Sequence, residues 1–283
     1  MTMILDFHKM EGIGNDFIVS HSPGSPETST LFRPHRIIAL CDRRRGIGAD
    51  GIILISPSST ADYRVVIFNS DGSEAEMCGN GIRCCALYIR KLGLPAKNPL
   101  RFETGAGTIA VETLPEDRFR VMMGRPILDA PQIPTTQPSG SIIMHELTVE
   151  GKLFRITAVS MGNPHAVIYA DDLTDDLVLG TGPAIEHHPF FPKRTNVEFV
   201  KVLSPSEIRM RVWERGCGET LACGTGACAA AVSGIINRLN GSAVTVHLSG
   251  GDLFVDWGGA PADPVFLTGP AAVTFQGSIE IDG

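Results

Sequence analysis

The chain has 283 residues, 43% of them hydrophobic and 19% charged, enough to build one large or two medium folded domains. A formal net charge of −7, with RRR at 43–45 the single basic run, argues against a polyanion-binding surface, and no run of 18 apolar residues offers a membrane span. The opening MTMILDFHKMEG has neither a basic n-region nor an apolar h-region, so the seven cysteines are expected as reduced thiols in the cytoplasm. In chain order, short β-branched runs bounded by Gly, Pro, Asp or Ser predict a strand at 17–20, then a helix over 35–44, strands at 51–55 and 63–68, and a helix over 83–94. Strands follow at 107–113, 119–124, 165–170, 196–203 and 207–213, a helix over 225–239, and strands at 243–248, 252–257 and 272–277. Strands outnumber helices and come in hairpin-like pairs, which predicts an α+β chain with antiparallel or mixed sheets. The Pro/Ser/Thr-rich APQIPTTQPSGS at 130–141 reads as a linker or long loop.

The chain carries a weak internal repeat. A shift of 145 places Phe68 on Trp213, Asn69 on Glu214, Glu74 on Glu219, Cys78 on Cys223, Gly79 on Gly224 and Gly81 on Gly226. A shift of 148 places Gly14 on Gly162 and Asn15 on Asn163. Two collinear matches at nearly equal offsets point to duplication. They predict two similar domains facing each other across a cleft, with one cysteine from each side; the expected bounds are residues 1–123 with 268–283 and residues 124–267, with the active site in the cleft between them.

Cysteine spacings argue against a metal site. None of them gives the paired C-x-x-C pattern of a zinc site, so no metal is expected. Cys41, Cys84, Cys85 and Cys228 fall where a helix wants a small apolar residue and read as buried hydrophobes, while Cys217 sits in a loop. Cys78 and Cys223 differ, because each precedes a Gly-x-Gly step that opens a helix. Free N–H groups and the positive end of the helix dipole are expected to favour a thiolate there and to cradle an anion. A carboxylate held at both helix mouths would leave its α-carbon between two sulfurs, one to take a proton and one to deliver a proton to the opposite face.

These residues carry a family resemblance. KMEGIGNDF (9–17), GIGADG (46–51), FNSDGSEAEMCGNGIRC (68–84), SMGNPHAV (160–167), RTNVEF (194–199), WERGCGETLACGTGACAA (213–230) and LTGPA (267–271) together resemble the diaminopimelate epimerases over essentially the whole chain. The resemblance implies two similar, pseudo-symmetric α/β domains, each a mixed, mostly antiparallel sheet wrapped around a central helix. It implies interconversion of LL- and meso-2,6-diaminopimelate in lysine and cell-wall precursor biosynthesis, with no cofactor. Cys78 and Cys223 match the reacting thiols. Gly79, Asn80, Gly224 and Thr225 match positions whose N–H groups hold the reacting carboxylate. Asn15, Asn69, Asn163, Asn196, Glu214 and Arg215 match substrate contacts, with Arg215 facing the second carboxylate, and His165 and Glu214 match polar residues near the reacting amine or thiols. Two positions depart from the family pattern: Glu11 stands where histidine is common, and Gly51 where some members have a substrate-contacting glutamine. Implied partners are diaminopimelate and a second copy of the chain, with no nucleic acid and no membrane.

Proline racemases and hydroxyproline epimerases share the paired-thiol layout, but a secondary cyclic amine has no use for Asn69, Asn196 and Arg215. The thiol-free phenazine-biosynthesis relatives are disfavoured by Cys78 and Cys223 themselves. A thiol sensor or metal-binding protein would show bound metal or a functional disulfide and no exchange of substrate hydrogen.

Overall fold

The computed structural model describes residues 2–21 and 32–282. The chain divides into two compact units, Met1–Val121 with Gly269–Gly283, and Met122–Thr268. In the first, Thr2–Gly12 pairs antiparallel with both Ala272–Asp282 and Asn15–His21. Asn15–His21 pairs parallel with Gly51–Pro57, which is antiparallel to Tyr63–Asn69. Tyr63–Asn69 takes the two-residue Glu74–Ala75 on one side and runs parallel to Leu100–Thr104, which continues antiparallel into Gly107–Thr113.

The second unit repeats this order. His145–Val149 and Pro164–Tyr169 flank Lys152–Ser160, both antiparallel. Pro164–Tyr169 runs parallel to Asn196–Ser204, itself antiparallel to Glu207–Glu214. Glu207–Glu214 takes the short Gly218–Thr220, runs parallel to Ala243–Leu248, and the sheet ends in two antiparallel steps through Gly251–Asp256 to Val265–Pro270. The same sequence of parallel and antiparallel joins occurs twice, at the spacing that the sequence repeat predicts.

Four α-helices are assigned among the described residues: α1 (Pro34–Cys41), α2 (Gly79–Lys91), α3 (Gly182–Glu186) and α4 (Gly224–Ile236). In each unit the sheet wraps one helix. Residues 79–89 of α2 are all buried against the strands Thr2–Gly12, Asn15–His21, Gly51–Pro57 and Gly107–Thr113. α4 is as enclosed, and its run of Gly, Ala, Cys and Ser lets strands approach closely. A Cβ at Gly234 would sit 2.1 Å from Asn240 Oδ1. The outer face of each sheet carries a second core: Leu5, Phe7, Ile18, Ile37 and Ile52 under α1, and Ile133, Leu147, Ile156, Ile185 and Phe199 under α3 and the 130–142 loop.

Several elements differ from the sequence expectation. Thr2–Gly12 is a strand although its buried positions include Lys9, and Leu100–Thr104, His145–Val149, Lys152–Ser160 and Val265–Pro270 were not foreseen either. Charged residues interrupt the apolar pattern in all of these but Val265–Pro270, which ends in Gly-Pro, and pairing with neighbouring strands supplies what local propensity lacks. A π-helical turn, Asp176–Thr181, leads into α3 where no helix was expected. The 130–141 segment is a packed loop of the second unit and no linker, with Ala130 N–H donating to Gly140 O at 2.8 Å and Ala130 and Ile133 fully buried.

Candidate active site

The mouth of α2 is built by the first hairpin of its unit. Gly12 pairs with Asn15, so Ile13 and Gly14 form a two-residue turn with φ values of 52° and 87°. A buried β-branched residue with positive φ is strained, and packing holds it there. The turn delivers Asn15 to the helix start. Cys78 is the N-cap of α2 in extended conformation, and its side chain makes no capping bond. Its Sγ lies 3.6 Å from Asn15 Oδ1, the same oxygen that accepts from Asn80 Nδ2 at 3.1 Å. A Cβ at Gly81 would come within 2.9 Å of Ile53 Cδ1, so glycine lets the helix mouth seat closely on the sheet.

A charged cluster stands behind Asn15. Asp50 accepts from Asn15 Nδ2 at 2.8 Å, and Arg43 grips both oxygens of Asp16 at 2.9 and 2.7 Å and reaches Asp50 at 2.7 Å. Buried Lys9 donates to Asp16 Oδ2 and to Gly48 O. Within the basic run at 43–45, Arg43 ties the segment before Gly51–Pro57 to the hairpin that carries Asn15. Burial pushes the Asp16 carboxyl up, but hydrogen bonds from Arg43 and Lys9 outweigh it and hold the group well below the usual carboxylate range. A depressed native pKa stabilises the fold above the unfolded value, near 3.8, and that contribution fades as pH falls below it. Asp16→Asn should therefore be destabilised at pH 7, by a margin that narrows below about pH 4. Denaturant midpoints of both proteins between pH 7 and 3 would test this, and a constant margin would refute it.

The mouth of α4 repeats the geometry with different neighbours. Cys223 is its N-cap, again extended. Cys223 is only 5% exposed, and its Sγ lies 3.5 Å from Thr225 Oγ1. Burial first, and then the charges of Glu214 and Glu198, raise the thiol well above its ordinary value, against weaker opposing bonds from Thr225 and the Gly226 N–H. This corrects the expectation that a helix mouth favours the thiolate: at Cys223, desolvation and two carboxylates win. The repeat-related turn carries Asn163, whose Oδ1 lies 2.9 Å from His165 Nε2, while His165 Nδ1 lies 2.7 Å from Glu198 Oε1. His165 and Glu198 are both fully buried. Burial raises the Glu198 carboxyl, with His165 opposing and Glu214 adding to the rise. A Cβ at Gly226 would lie 2.8 Å from Glu198 Oε1 and 3.3 Å from Cys223 Sγ, so only glycine lets these groups share the helix mouth.

The remaining site residues fall at strand ends. Asn69, exposed, pairs in register with Gly51, and its Nδ2 donates to Ser73 Oγ at 2.9 Å. A Cβ on Gly51 would meet Phe68 O at 2.3 Å, so the missing side chain there has a backbone cause. Asn196 is buried with both amide ends in use: Nδ2 donates to Pro164 O at 2.8 Å, and Oδ1 accepts the Arg215 N–H at 2.9 Å. Glu214 accepts from the Thr220 hydroxyl, and the Arg215 side chain is exposed, with Nη1 3.3 Å from Lys193 O. Buried Glu186 accepts from Trp213 Nε1 at 2.8 Å and from the Gly216 N–H at 2.9 Å, pinning the strand end on either side of Glu214 and Arg215. The fold thus joins Asn15, Cys78 and Asn80 in one unit. In the other it joins Asn163 with His165, Asn196 with Arg215, and Cys223 with Thr225.

Sequence reading missed Asp50, Glu198, Glu186 and the Lys9–Asp16–Arg43 cluster. The first two lie inside quoted motifs, but only a partner atom gives them a role. Cys41, Cys84, Cys85 and Cys228 are buried as expected. Burial pushes the Cys41 thiol up to about 11 and raises Cys84 and Cys85 further. Among the described residues no group of three or more His, Cys, Asp or Glu is arranged to hold a metal, and no helix is long and apolar enough to cross a membrane.

The family model for diaminopimelate epimerase matches residues 7–128 and 157–274. A curated relative bearing that name, from Pelotomaculum thermopropionicum, is 49% identical over 277 residues, 96% of this chain and 98% of its own. Another, from Moorella thermoacetica, is 48% identical over 283 residues, 98% of this chain and all of its own. Among solved structures, a hydroxyproline epimerase from Agrobacterium vitis matches with a TM-score of 0.70 at 15% identity, covering 99% of this chain and 93% of its own. A PhzF-family phenazine-biosynthesis protein from Bacillus anthracis matches with a TM-score of 0.67 at 15% identity, and both chains are covered in full. At such identities the solved structures show a shared fold.

Proposed function

The chain belongs to the diaminopimelate epimerase family, and from that premise we propose that it interconverts LL- and meso-2,6-diaminopimelate by moving a proton through two thiols, Cys78 and Cys223. The observation that carries this reading is that each unit ends its extended approach to a largely buried helix on a cysteine at the N-cap and follows it with glycine.

The chemistry follows from what each mouth offers. The N–H groups of a first helical turn have no partner within the helix, and the dipole favours negative charge there. Gly79 and Asn80 in one unit, and Gly224 and Thr225 in the other, supply such groups to the α-carboxylate and to the enolate-like charge that grows on it. Oriented donors of this kind are worth about 3–4 kcal/mol each in a water-excluded site. One sulfur, as thiolate, removes the α-hydrogen. The carbanion takes a proton from the other sulfur on the opposite face, so configuration inverts, the two sulfurs exchange protonation states, and charge balances. Glu214 and Glu198 oppose the Cys223 thiolate in the free protein. A substrate ammonium placed beside these carboxylates offsets their charge, which couples ionisation of the thiol to binding of an amino acid. Arg215 and the asparagines answer the distal carboxylate and ammonium, with Asn196 acting through the Arg215 backbone.

The test is incubation with LL-diaminopimelate in deuterated water, with L-proline as the control. Meso product should carry solvent deuterium at the inverted α-carbon, because each turnover delivers a proton from a thiol that exchanges with solvent, and L-proline should remain unchanged. Inversion without deuterium would exclude the thiol route, and turnover of L-proline alone would exclude the substrate.

A further inference from the structure

We propose that Asp50 is a positioning residue of the Cys78 half of the site: it fixes the Asn15 amide with its carbonyl end toward Cys78, so that Cys78 rests as a hydrogen-bond-donating thiol. The proposal rests on the reading of Cys78 as a reacting thiol. It adds the protonation state of that thiol at rest and the residue that sets it.

The argument is one of donors and acceptors. An asparagine amide donates at one end and accepts at the other, whereas an ionised carboxylate only accepts. Asp50 Oδ2 receives Asn15 Nδ2 at 2.8 Å and the Asp16 N–H at 3.1 Å, and its Oδ1 receives Arg43 at 2.7 Å. Three donors converge on this carboxylate, and turning the Asn15 carbonyl toward it would set acceptor against acceptor. Asn15 Oδ1 therefore faces the helix mouth, where it lies 3.6 Å from Cys78 Sγ and 3.1 Å from Asn80 Nδ2. A carbonyl oxygen accepts from S–H and repels S⁻, and an NH₂ group in its place would do the reverse. The charged groups around this mouth are Lys9, Glu11 and Asp16 of the first hairpin, Arg43 and Asp50 of the segment before Gly51–Pro57, Glu76 two residues upstream, and Arg83 within α2. Arg43 and Lys9 pair with the two aspartates, and the Asn15 carbonyl stands within hydrogen-bond reach of the thiol, where it opposes the preference of the helix mouth for negative charge.

The arrangement can also be reversed in one step. In Asp50→Asn the new oxygen keeps the charge-assisted bond from Arg43 at the cost of the bond from the Asp16 N–H, and the new NH₂ group faces Asn15, which turns its carbonyl toward it. The Asn15 NH₂ group then points at Cys78. Asn80 can turn with it, because its buried Oδ1 has no hydrogen-bond partner to lose among the described residues.

The experiment follows the alkylation rate of Cys78 against pH in the full-length protein by peptide mass spectrometry, a readout independent of turnover. The midpoint should fall by about one to two pH units in Asp50→Asn. Asp16→Asn removes an equal charge from the same cluster but leaves Asp50 against Asn15, and its midpoint should stay at the wild-type value. An infrared S–H band present in the wild type at neutral pH and absent from folded Cys78→Ala should report the resting thiol with no demand on the folding of Asp50→Asn. A wild type lacking that band, an unmoved midpoint in Asp50→Asn, or an equal fall in Asp16→Asn would each overturn the proposal. Failure of the two-thiol reading would show separately, as normal turnover in Cys78→Ala.

Discussion

Cys78→Ala and Cys223→Ala should each lose epimerase turnover by at least about 10²–10⁴-fold, the usual contribution of one positioned proton donor or acceptor. Inversion needs a base on one face of the α-carbon and an acid on the other, so neither thiol can serve both faces. The two variants should nevertheless differ. Each keeps one sulfur, and each should retain exchange of the α-hydrogen with solvent, without inversion, for the stereoisomer whose hydrogen faces that sulfur. Cys84→Ala is the control. Its thiol is fully buried, one turn into α2, and burial keeps it protonated. Its loss should lower stability by ~1 kcal/mol through a small cavity and leave turnover near normal. Inversion rates and deuterium wash-in for both stereoisomers, measured on the three variants, check this together. Near-normal inversion in either of the first two would end the two-base scheme.

Arg215→Met should lower kcat/KM for diaminopimelate by roughly 30- to 5000-fold, the range expected when one partner of a desolvated, charge-assisted pair is removed. In the free protein the Arg215 backbone is fixed by Asn196 Oδ1, while its guanidinium is exposed, with one nitrogen 3.3 Å from Lys193 O. The chain is thus anchored at this residue and the side chain remains free to meet a carboxylate. Lysine has the same kind of reacting centre but no distal carboxylate, so enclosing it would bury an unanswered cation. The substitution removes that penalty, and the preference for diaminopimelate over lysine should narrow. Comparison of kcat/KM for both compounds on both proteins decides the matter. An unchanged ratio would remove Arg215 from substrate recognition and reopen the choice of substrate.

What was readable before folding depended on whether a signal was local. The two Cys-Gly-x-Gly steps announce helix starts because glycine and the N-cap position are local matters, and the structure places Cys78 and Cys223 at the N-caps of α2 and α4. The repeat was legible because its matched glycines stand where turns and close approaches require them: Gly14 and Gly162 both have positive φ, and Gly81 and Gly226 both sit under close neighbours. Thr2–Gly12 was not legible, since its strand character comes from partners at 15–21 and 272–282 rather than from its own charged residues.

The sequence by itself determined that this is a duplicated α+β chain of the diaminopimelate epimerase family with two thiols at helix mouths, because turn, cap and spacing signals act over a few residues and repeat. Tertiary structure alone decided which groups surround those thiols. Asp50 meets Asn15 across 35 positions and Glu198 meets His165 across 33. The state of a thiol or carboxyl follows from such distant partners and from burial, which is why Cys223 resists ionisation at a helix start that would otherwise promote it.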